Sequence, residues 1–318
     1  MKKIKVTMLG PSGVGKTSLL AAIYEQYRST INGTELQIMP DHGSEARLIK
    51  RLNELKNLET AKFETSGWCR PSTEHHSYSF ELCQRGARAF VELQFQDFPG
   101  EWITHAGHKV NVEGFLRESD AVIIAIDTTA LIEQKKGCNL HQEINGVNEI
   151  TRLFERVYRN LSSPKLVILA PVRCESYYKA EKYDPSLLAS VERGYADLLK
   201  HLEAKGLIDK VSVVVTPVQT VGSGVVFNRI DKDENGEPTF IFNKTGAKYN
   251  PKDSEQPLRY ILRFVLSREV KGRWGIFNWL WTSLGKDKEL KEAIDKFTSL
   301  CKIDDGFKVI QGHRLLDI

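Results

Sequence analysis

Residues 10–17 carry the residue types and the spacing of a phosphate-binding loop. They read Gly-Pro-Ser-Gly-Val-Gly-Lys-Thr and fit the pattern G-x-x-x-x-G-K-[ST]. Glycines let the backbone curl so that consecutive N–H groups face phosphate oxygens. The Lys16 ammonium suits the β- and γ-phosphates, and the Thr17 hydroxyl can bind Mg²⁺. The residues that we expect to bind nucleotide here are Gly10, Ser12, Gly13, Val14, Gly15, Lys16, Thr17 and Ser18.

The segments on both sides of this loop have the patterns that the motif requires. Residues 4–9 form a short apolar run typical of a strand, and residues 18–24 are apolar helix formers. The positive end of the following helix would face the same phosphates. The order strand, loop, helix therefore predicts a nucleoside triphosphate site, although it does not specify the base.

A carboxylate and a glycine suited to the same chemistry follow a predicted hairpin. Residues 77–82 and 90–96 alternate between apolar and polar, and the turn between them contains Gly86. The second strand leads into Asp97, which can hold Mg²⁺ through water, and then Gly100, whose N–H can reach a γ-phosphate. We therefore predict that this second segment completes the phosphate site.

Buried strands and helices alternate through the rest of the first 270 residues. The predicted strands are 120–127, 165–170 and 211–216, and the predicted helices are 141–161, 185–204 and 257–269. This alternation predicts an α/β fold with a doubly wound, mostly parallel P-loop sheet. The hairpin adds one antiparallel edge strand. In such a sheet, ligands bind at the carboxyl ends of the strands, where all the motifs above lie.

Residues 1–270 are predicted to form the P-loop domain, with two insertions. The first insertion, about 31–70, contains an amphipathic helix at 44–58, and the second, about 222–256, has the pattern of a β-hairpin. Residues 271–318 are predicted to form a C-terminal helical tail. It contains three tryptophans within eight residues, a composition that suits packing on the core, a partner surface or peripheral membrane contact.

Composition indicates an ordinary globular protein. The 318 residues are 41% hydrophobic and 27% charged, and the net charge is only +4. There is no long run of Lys or Arg, so nucleic acid is not an expected partner. The five cysteines are scattered without a C-x-x-C pair, which is typical of a reducing compartment. No apolar run is long enough to cross a bilayer and no signal peptide precedes the first strand, so we expect a cytoplasmic location.

With these motifs placed, residues 1–270 resemble the Ras-like (TRAFAC) class of P-loop GTPases, in which Asp97 and Gly100 form the D-x-x-G motif. The resemblance implies GTP and GDP as ligands, Mg²⁺ as cofactor, and a switch I threonine that contacts Mg²⁺. Thr73 is the candidate for that threonine, and Thr65 is its rival. The chain looks most similar to bacterial double-GTPase proteins of conflict and antiphage gene clusters. That likeness implies a protein partner: a second GTPase, an activator or an effector.

Two segments depart from the GTPase pattern. Residues 172–175 read Val-Arg-Cys-Glu where the family has N-K-x-D. Glu175 could accept hydrogen bonds from guanine N1–H and N2–H₂ and Arg173 could lie over the base, but Val172 cannot hydrogen-bond. Glu101 stands where the family often has a water-orienting Gln. Its charge would oppose the γ-phosphate, so hydrolysis would be slow or would need a cation from a partner.

Three functions fit these observations. The first is a regulatory GTPase in which Lys16, Thr73, Gly100 and Glu101 act in hydrolysis. The second is a P-loop kinase or ATPase that acts on a small molecule. The third is a nucleotide-gated scaffold with negligible turnover. A comparison of GTP, GDP and ATP binding separates the second function from the other two.

Overall fold

The computed structural model describes residues 2–31, 36–57, 74–84, 88–89, 91–133, 139–232, 238–246, 248–270 and 288–317. The predicted switch I residue Thr73, its rival Thr65 and the three clustered tryptophans lie outside these residues. The same is true of the hairpin turn around Gly86.

A central sheet organises the described residues. The strands are β1 (Lys2–Leu9), β2 (Leu36–Pro40), β3 (His76–Gln84), β4 (Val91–Asp97), β5 (Ala121–Asp127), β6 (Lys165–Val172), β7 (Tyr178–Lys179), β8 (Lys182–Tyr183), β9 (Val211–Val215), β10 (Val225–Lys232), β11 (Pro238–Lys244) and β12 (Lys308–Gln311). Eight of them form one sheet in the order β12-β9-β6-β5-β1-β4-β3-β2. The middle five, β9, β6, β5, β1 and β4, run parallel.

Helices cover both faces of this sheet. They are α1 (Lys16–Ile31), α2 (His42–Asn57), α3 (Lys109–Glu118), α4 (Thr128–Ile132), α5 (Leu140–Asn145), α6 (Val147–Val157), α7 (Pro185–Gly194), α8 (Ala196–Leu202), α9 (Gln256–Val270) and α10 (Lys288–Ser299). Every residue of β5 is buried. Its side chains alternate between two apolar clusters: Ile123 belongs to the cluster that contains side chains of α1, α2 and α9, and Ile124 to the cluster that contains side chains of α3 and α6. The predicted doubly wound, mostly parallel sheet is confirmed.

The antiparallel strands extend further than the sequence predicted. The hairpin is present, because β3 pairs antiparallel with β4. However, β3 is not the edge of the sheet, since β2 from the first insertion pairs antiparallel with its outer side. At the opposite edge, β12 pairs antiparallel with β9. The structure thus has β3 inside the sheet and a further antiparallel strand at the far edge, where the sequence predicted one antiparallel edge strand.

Two long predicted helices are each divided into two. Gly146 has φ 57 and separates α5 from α6, because a left-handed residue cannot continue a right-handed helix. Tyr195 separates α7 from α8 with φ −109 and ψ 19, which lies outside the helical region although it is not left-handed. The amphipathic helix of the first insertion is present as α2, with Leu48, Leu52 and Leu55 buried at helical spacing.

The last described segment packs on the domain. Helix α10 packs against α9, and β12 follows it into the main sheet. The Tyr260 hydroxyl donates to the Lys302 carbonyl at 2.7 Å, and Arg263 Nε donates to the Leu316 carbonyl at 2.7 Å. The sequence predicted a helical tail without this strand, since four residues are too few to show an alternating pattern. No helix in the part of the chain that the structure describes combines the length and apolarity needed to cross a membrane.

Candidate nucleotide-binding site

The predicted phosphate loop connects β1 to α1 at the carboxyl edge of the sheet. Gly10, Gly13 and Gly15 have φ values of 140, 75 and 108, which L side chains rarely adopt. A Cβ on Gly10 would also lie 2.8 Å from Val14 Cγ1 and 3.1 Å from the Ala125 carbonyl oxygen. Val14 in the middle of the loop is fully buried and Ser18 just after it is nearly so, which anchors the loop to the core.

Lys16 is held against the loop backbone. Its Nζ donates to the carbonyls of Gly10 at 2.7 Å and Pro11 at 3.1 Å, and only 7% of the residue is exposed. Burial lowers the pKa of Lys16 to about 8, and the negative charge of Asp97 partly opposes this shift. A buried ammonium that is paired mainly with neutral carbonyls would gain from a phosphate oxygen, which carries the charge that it lacks.

Thr17 and Asp97 lie together beneath the loop. The Thr17 hydroxyl donates to Asp97 Oδ2 at 2.6 Å, and Asp97 is completely buried. The other carboxylate oxygen, Oδ1, has no hydrogen-bond partner within the described ranges. An unpartnered buried carboxylate oxygen is costly, and Mg²⁺ prefers hydroxyl, carboxylate and water oxygens. These two side chains therefore fit a magnesium ion, with Asp97 Oδ1 available to a water of its shell.

Gly100 packs directly on the phosphate loop. An added Cβ would lie 2.0 Å from both the Pro11 carbonyl carbon and the Ser12 nitrogen. Gly100 begins a 3₁₀ helix, Gly100–Ile103, that follows β4, and it is buried. This close approach puts the Gly100 backbone where it can meet a terminal phosphate on the loop. The next residue, Glu101, is exposed to solvent and does not line the cavity beside the loop.

Arg173 joins three parts of the site. It follows β6 with φ 56, and its guanidinium pairs with Asp127 Oδ2 at 2.5 Å while also donating to the Gly13 carbonyl at 2.7 Å. Its guanidinium carbon lies 5.3 Å from the ring centre of Phe227 in β10. Asp127 is buried and also caps α4, accepting from Ala130 N at 2.7 Å. Arg173 therefore ties the end of β6 to the phosphate loop and to the inserted hairpin.

Glu175 is a buried acid with one available oxygen. Only 6% of it is exposed, Oε1 accepts from Val221 N at 3.4 Å, and Oε2 has no partner in the described part of the chain. Burial raises the pKa of Glu175 to about 8, and Arg173 moderates that rise. Val172 is buried, and its Cγ2 lies 3.7 Å from the position of a Cβ on Gly15. At the position where GTPases carry an Asn, this chain therefore packs an apolar side chain near the loop.

Two charged residues of the site were not among the predicted ones. Asp127 orients Arg173, and its place at the carboxyl end of a buried strand is a signal that could have identified it. Arg51 of α2 lines the cavity beside the loop together with Lys16, Thr17, Asp97 and Gly100. It comes from the first insertion, where the sequence shows only an amphipathic helix, so nothing in its spacing indicates this position.

Comparisons with solved structures give distant matches to GTPase domains. The GTP-bound Ski7 GTPase-like domain of S. cerevisiae is 13% identical, with a TM-score of 0.44; the match covers 70% of this chain and 44% of that chain. The SRb-GTP/SRX complex of the Chaetomium thermophilum signal recognition particle receptor matches at 14% identity and a TM-score of 0.37, covering 69% of this chain and 94% of that chain. A search of the curated proteins found no match.

The sequence itself matches a family model over most of its length. The model is described as Double-GTPase 2, and the match runs over residues 4–224. These residues include the phosphate loop, Asp97, Gly100 and the segment 172–175. The chain belongs to the Double-GTPase 2 family.

Proposed function

We propose that this protein binds GTP with Mg²⁺, hydrolyses it slowly, and acts as a regulatory switch. The family supports GTP as the ligand. The observation that carries the proposal is the hydrogen bond from Thr17 to the buried Asp97, whose other carboxylate oxygen is unpartnered in the described part of the chain, beside Lys16 and the backbone of Gly100. Thr17 and Asp97 offer ligands for the metal, the Gly100 N–H offers a donor to the terminal phosphate, and Lys16 offers a positive charge to offset the negative charge of that phosphate.

The residues of the loop divide the work of phosphoryl transfer. Lys16 moves from its carbonyl partners to the β- and γ-phosphate oxygens, and the loop N–H groups surround the β-phosphate. Thr17, together with Asp97 through a water molecule, would hold Mg²⁺, which would supply positive charge to offset the negative charge that develops during bond cleavage. Water adds to the γ-phosphorus while the bond between the γ-phosphorus and the β–γ bridging oxygen breaks, which yields GDP and inorganic phosphate. The Gly100 N–H then loses its phosphate partner, so the 3₁₀ helix is released.

Guanine selection is assigned to Glu175 and Arg173. The ionised Glu175 carboxylate accepts from guanine N1–H and N2–H₂, whereas adenine offers an acceptor at N1. Arg173, held by Asp127 and the Gly13 carbonyl, packs along the base and keeps it next to the loop. Thr73 remains our proposed second magnesium ligand, and Glu101 our proposed water-orienting group.

The partner and the pathway are proposed on the family name alone. A double GTPase suggests that this chain works with a second GTPase, and an activator or effector would then sense its switch segments. Within that proposal we place the protein in the cytoplasm and in a bacterial defence system. Peripheral membrane contact through the tryptophan-rich segment is part of the same proposal.

The first experiment measures the affinities of GTP, GDP and ATP with and without Mg²⁺, on the parent protein, Lys16→Ala and Glu175→Ala. We expect GTP and GDP to bind, Lys16→Ala to weaken GTP at least tenfold, and Glu175→Ala to lose the preference for GTP over ATP. Each variant is first checked for an unchanged melting temperature.

Two results would count against the proposal. If GTP does not bind, or binds Lys16→Ala as tightly as the parent, the loop is not a nucleotide site. If ATP binds as well as GTP to the parent protein, the kinase or ATPase alternative moves ahead. Tight GTP binding without release of phosphate would instead favour the nucleotide-gated scaffold.

A further inference from the structure

A second cation faces the phosphate end of the site. Arg51 lines a cavity of about 20 Å³, whose wall also includes Lys16, Thr17, Asp97 and Gly100. A cavity of this volume holds about one water molecule, so it is a narrow space between α2 and the phosphate loop. The wall contains no part of Arg173 or Glu175. Arg51 therefore faces the magnesium and γ-phosphate end of the site and not the base end.

Helix α2 holds Arg51 in this position through its buried face. Leu48 and Leu55 are buried in the apolar cluster that also contains side chains of α1. The amino end is fixed by Asp41, which accepts from the backbone N and hydroxyl of Ser44 at 2.9 and 2.6 Å. At the other end Lys56 pairs with Glu25 of α1 at 2.7 Å. Because α1 begins at the phosphate loop, α2 is attached to the element that carries Lys16 and Thr17.

The Arg51 side chain is oriented and largely shielded from water. Nη1 pairs with Glu54 Oε2 at 2.7 Å, one turn further along the helix, and only 12% of the side chain is exposed. A guanidinium presents its donors in a fixed planar fork, which matches the spacing of two phosphate oxygens. Low exposure strengthens its interaction with any anion in the cavity, since solvent screening is reduced.

We propose that Arg51 is an internal γ-phosphate ligand of this GTPase, supplied by the inserted helix. The inference rests on the proposed function. The guanidinium donates to a γ-phosphate oxygen and stabilises the charge that develops there as the bond to the bridging oxygen breaks. The cation that the exposed acid Glu101 led us to expect from a partner is thus present within the chain. A phosphate is larger than the cavity, so we expect the Arg51 guanidinium to shift outward as the γ-phosphate enters, while α2 keeps it beside the phosphate.

The test compares affinities for GTPγS and GDP, since only the first has the group that Arg51 is proposed to touch. Arg51→Ala is expected to weaken GTPγS at least tenfold and GDP less than threefold. Single-turnover hydrolysis of bound GTP is expected to slow by roughly 10²-fold or more, toward the range measured for arginine fingers in other GTPases. Arg51→Lys keeps a positive charge but loses the planar fork of donors, so we expect its GTPγS affinity and hydrolysis rate to lie between those of the parent protein and Arg51→Ala.

Two further variants keep the result interpretable. Lys50→Ala removes an exposed cation of the same helix and should leave both affinities and the rate unchanged. Arg51→Met keeps the aliphatic stem, so it separates loss of charge from loss of packing if Arg51→Ala does not fold. If Arg51→Met retains the parent ratio of GTPγS to GDP affinity, Arg51 does not touch the γ-phosphate and this inference is wrong. If the parent protein itself fails to bind GTP, the proposed function has failed instead.

Discussion

Glu175 is the residue through which base recognition should depend on pH. Its pKa of about 8 means that the carboxyl is mainly protonated at neutral pH before a nucleotide binds. Guanine offers two N–H donors, which favour the ionised form and would lower this pKa in the complex. Binding of guanine below pH 8 therefore releases a proton from Glu175, and that release reduces the affinity.

We predict that the ratio of GTP to ATP affinity rises with pH, by up to about tenfold per unit, and levels off above about pH 8. The ratio is the useful quantity because the Lys16 pKa, also about 8, affects both triphosphates equally. Competition binding between pH 6 and 9 measures it, and Glu175→Gln should show no pH dependence. A flat ratio in the parent protein would remove Glu175 from base recognition.

At the residue scale, local spacing predicted the loop residues but not the residues that tertiary packing brings beside them. Lys16, Thr17, Asp97 and Gly100 belong to short motifs, and the structure brings them around one cavity. Arg51 reaches the same cavity only because α2 packs on α1, a contact that periodicity does not specify. Asp127 is an intermediate case. The sequence shows its position at the end of a strand, but its pairing with Arg173 depends on the left-handed backbone at Arg173.

The 3₁₀ helix after β4 is the element most tightly constrained by the loop. Gly100 has no room for a side chain, because its Cβ would meet the backbone of Pro11 and Ser12 at 2.0 Å. The same helix carries Trp102, which stacks on His108 at a ring separation of 4.1 Å. His75, just before β3, stacks on Phe115 of α3 at 4.9 Å and lies 6.1 Å from Trp102. A shift of this 3₁₀ helix would therefore be felt at the start of β3.

We predict that Gly100→Ala lowers the free energy of unfolding by about 1–3 kcal/mol, as overpacking does when backbone must move. It should also slow GTP hydrolysis at least tenfold, since the Gly100 N–H is pushed away from the γ-phosphate, while GDP affinity changes less than threefold. Urea unfolding and single-turnover hydrolysis measure these effects.

Gly114→Ala is the matched control for that substitution. Gly114 lies inside α3, and a Cβ there would meet nothing within 4 Å. Alanine is favoured over glycine in a helix interior, so this variant should be more stable than the parent by about 0.5–1 kcal/mol. If both variants changed stability by the same amount and in the same direction, close packing of Gly100 on the loop would not be the cause.

At the scale of elements, the sequence predicted whether a segment is a helix or a strand better than it predicted where that segment begins and ends. Long apolar runs identified β5, β6 and β9 because strands buried on both faces need no alternation. The break at Gly146 was harder to predict, since a single glycine inside a helical pattern is compatible with a continuous helix. The short strands β2 and β12 were not predicted at all; their positions are fixed by partners distant in sequence.

For the whole molecule, the candidate nucleotide site and the β12 edge of the sheet are formed by different strands. The candidate site lies at the carboxyl ends of the interior strands β1 and β4, whereas β12 forms one outer edge of the sheet, beside β9. Gln311 connects this last strand to the core: its Nε2 donates to the carbonyls of Leu202 and Val211, each at 3.1 Å, and it is 7% exposed. Stability contributed at this edge should therefore be separable from ligand binding.

We predict that Gln311→Ala lowers the free energy of unfolding by about 1–3 kcal/mol, because two buried carbonyls lose their donor. Lys308→Ala, on the same strand, removes only a solvent-exposed pair with Glu192 and should cost less than about 1 kcal/mol. GTP and GDP affinities of both variants should match the parent at a temperature where all are folded. Urea unfolding with nucleotide titration tests this prediction. An equal loss of stability in the two variants would contradict the role given to the Gln311 hydrogen bonds. A loss of GTP affinity in Gln311→Ala would show that the far edge is not independent of the ligand site.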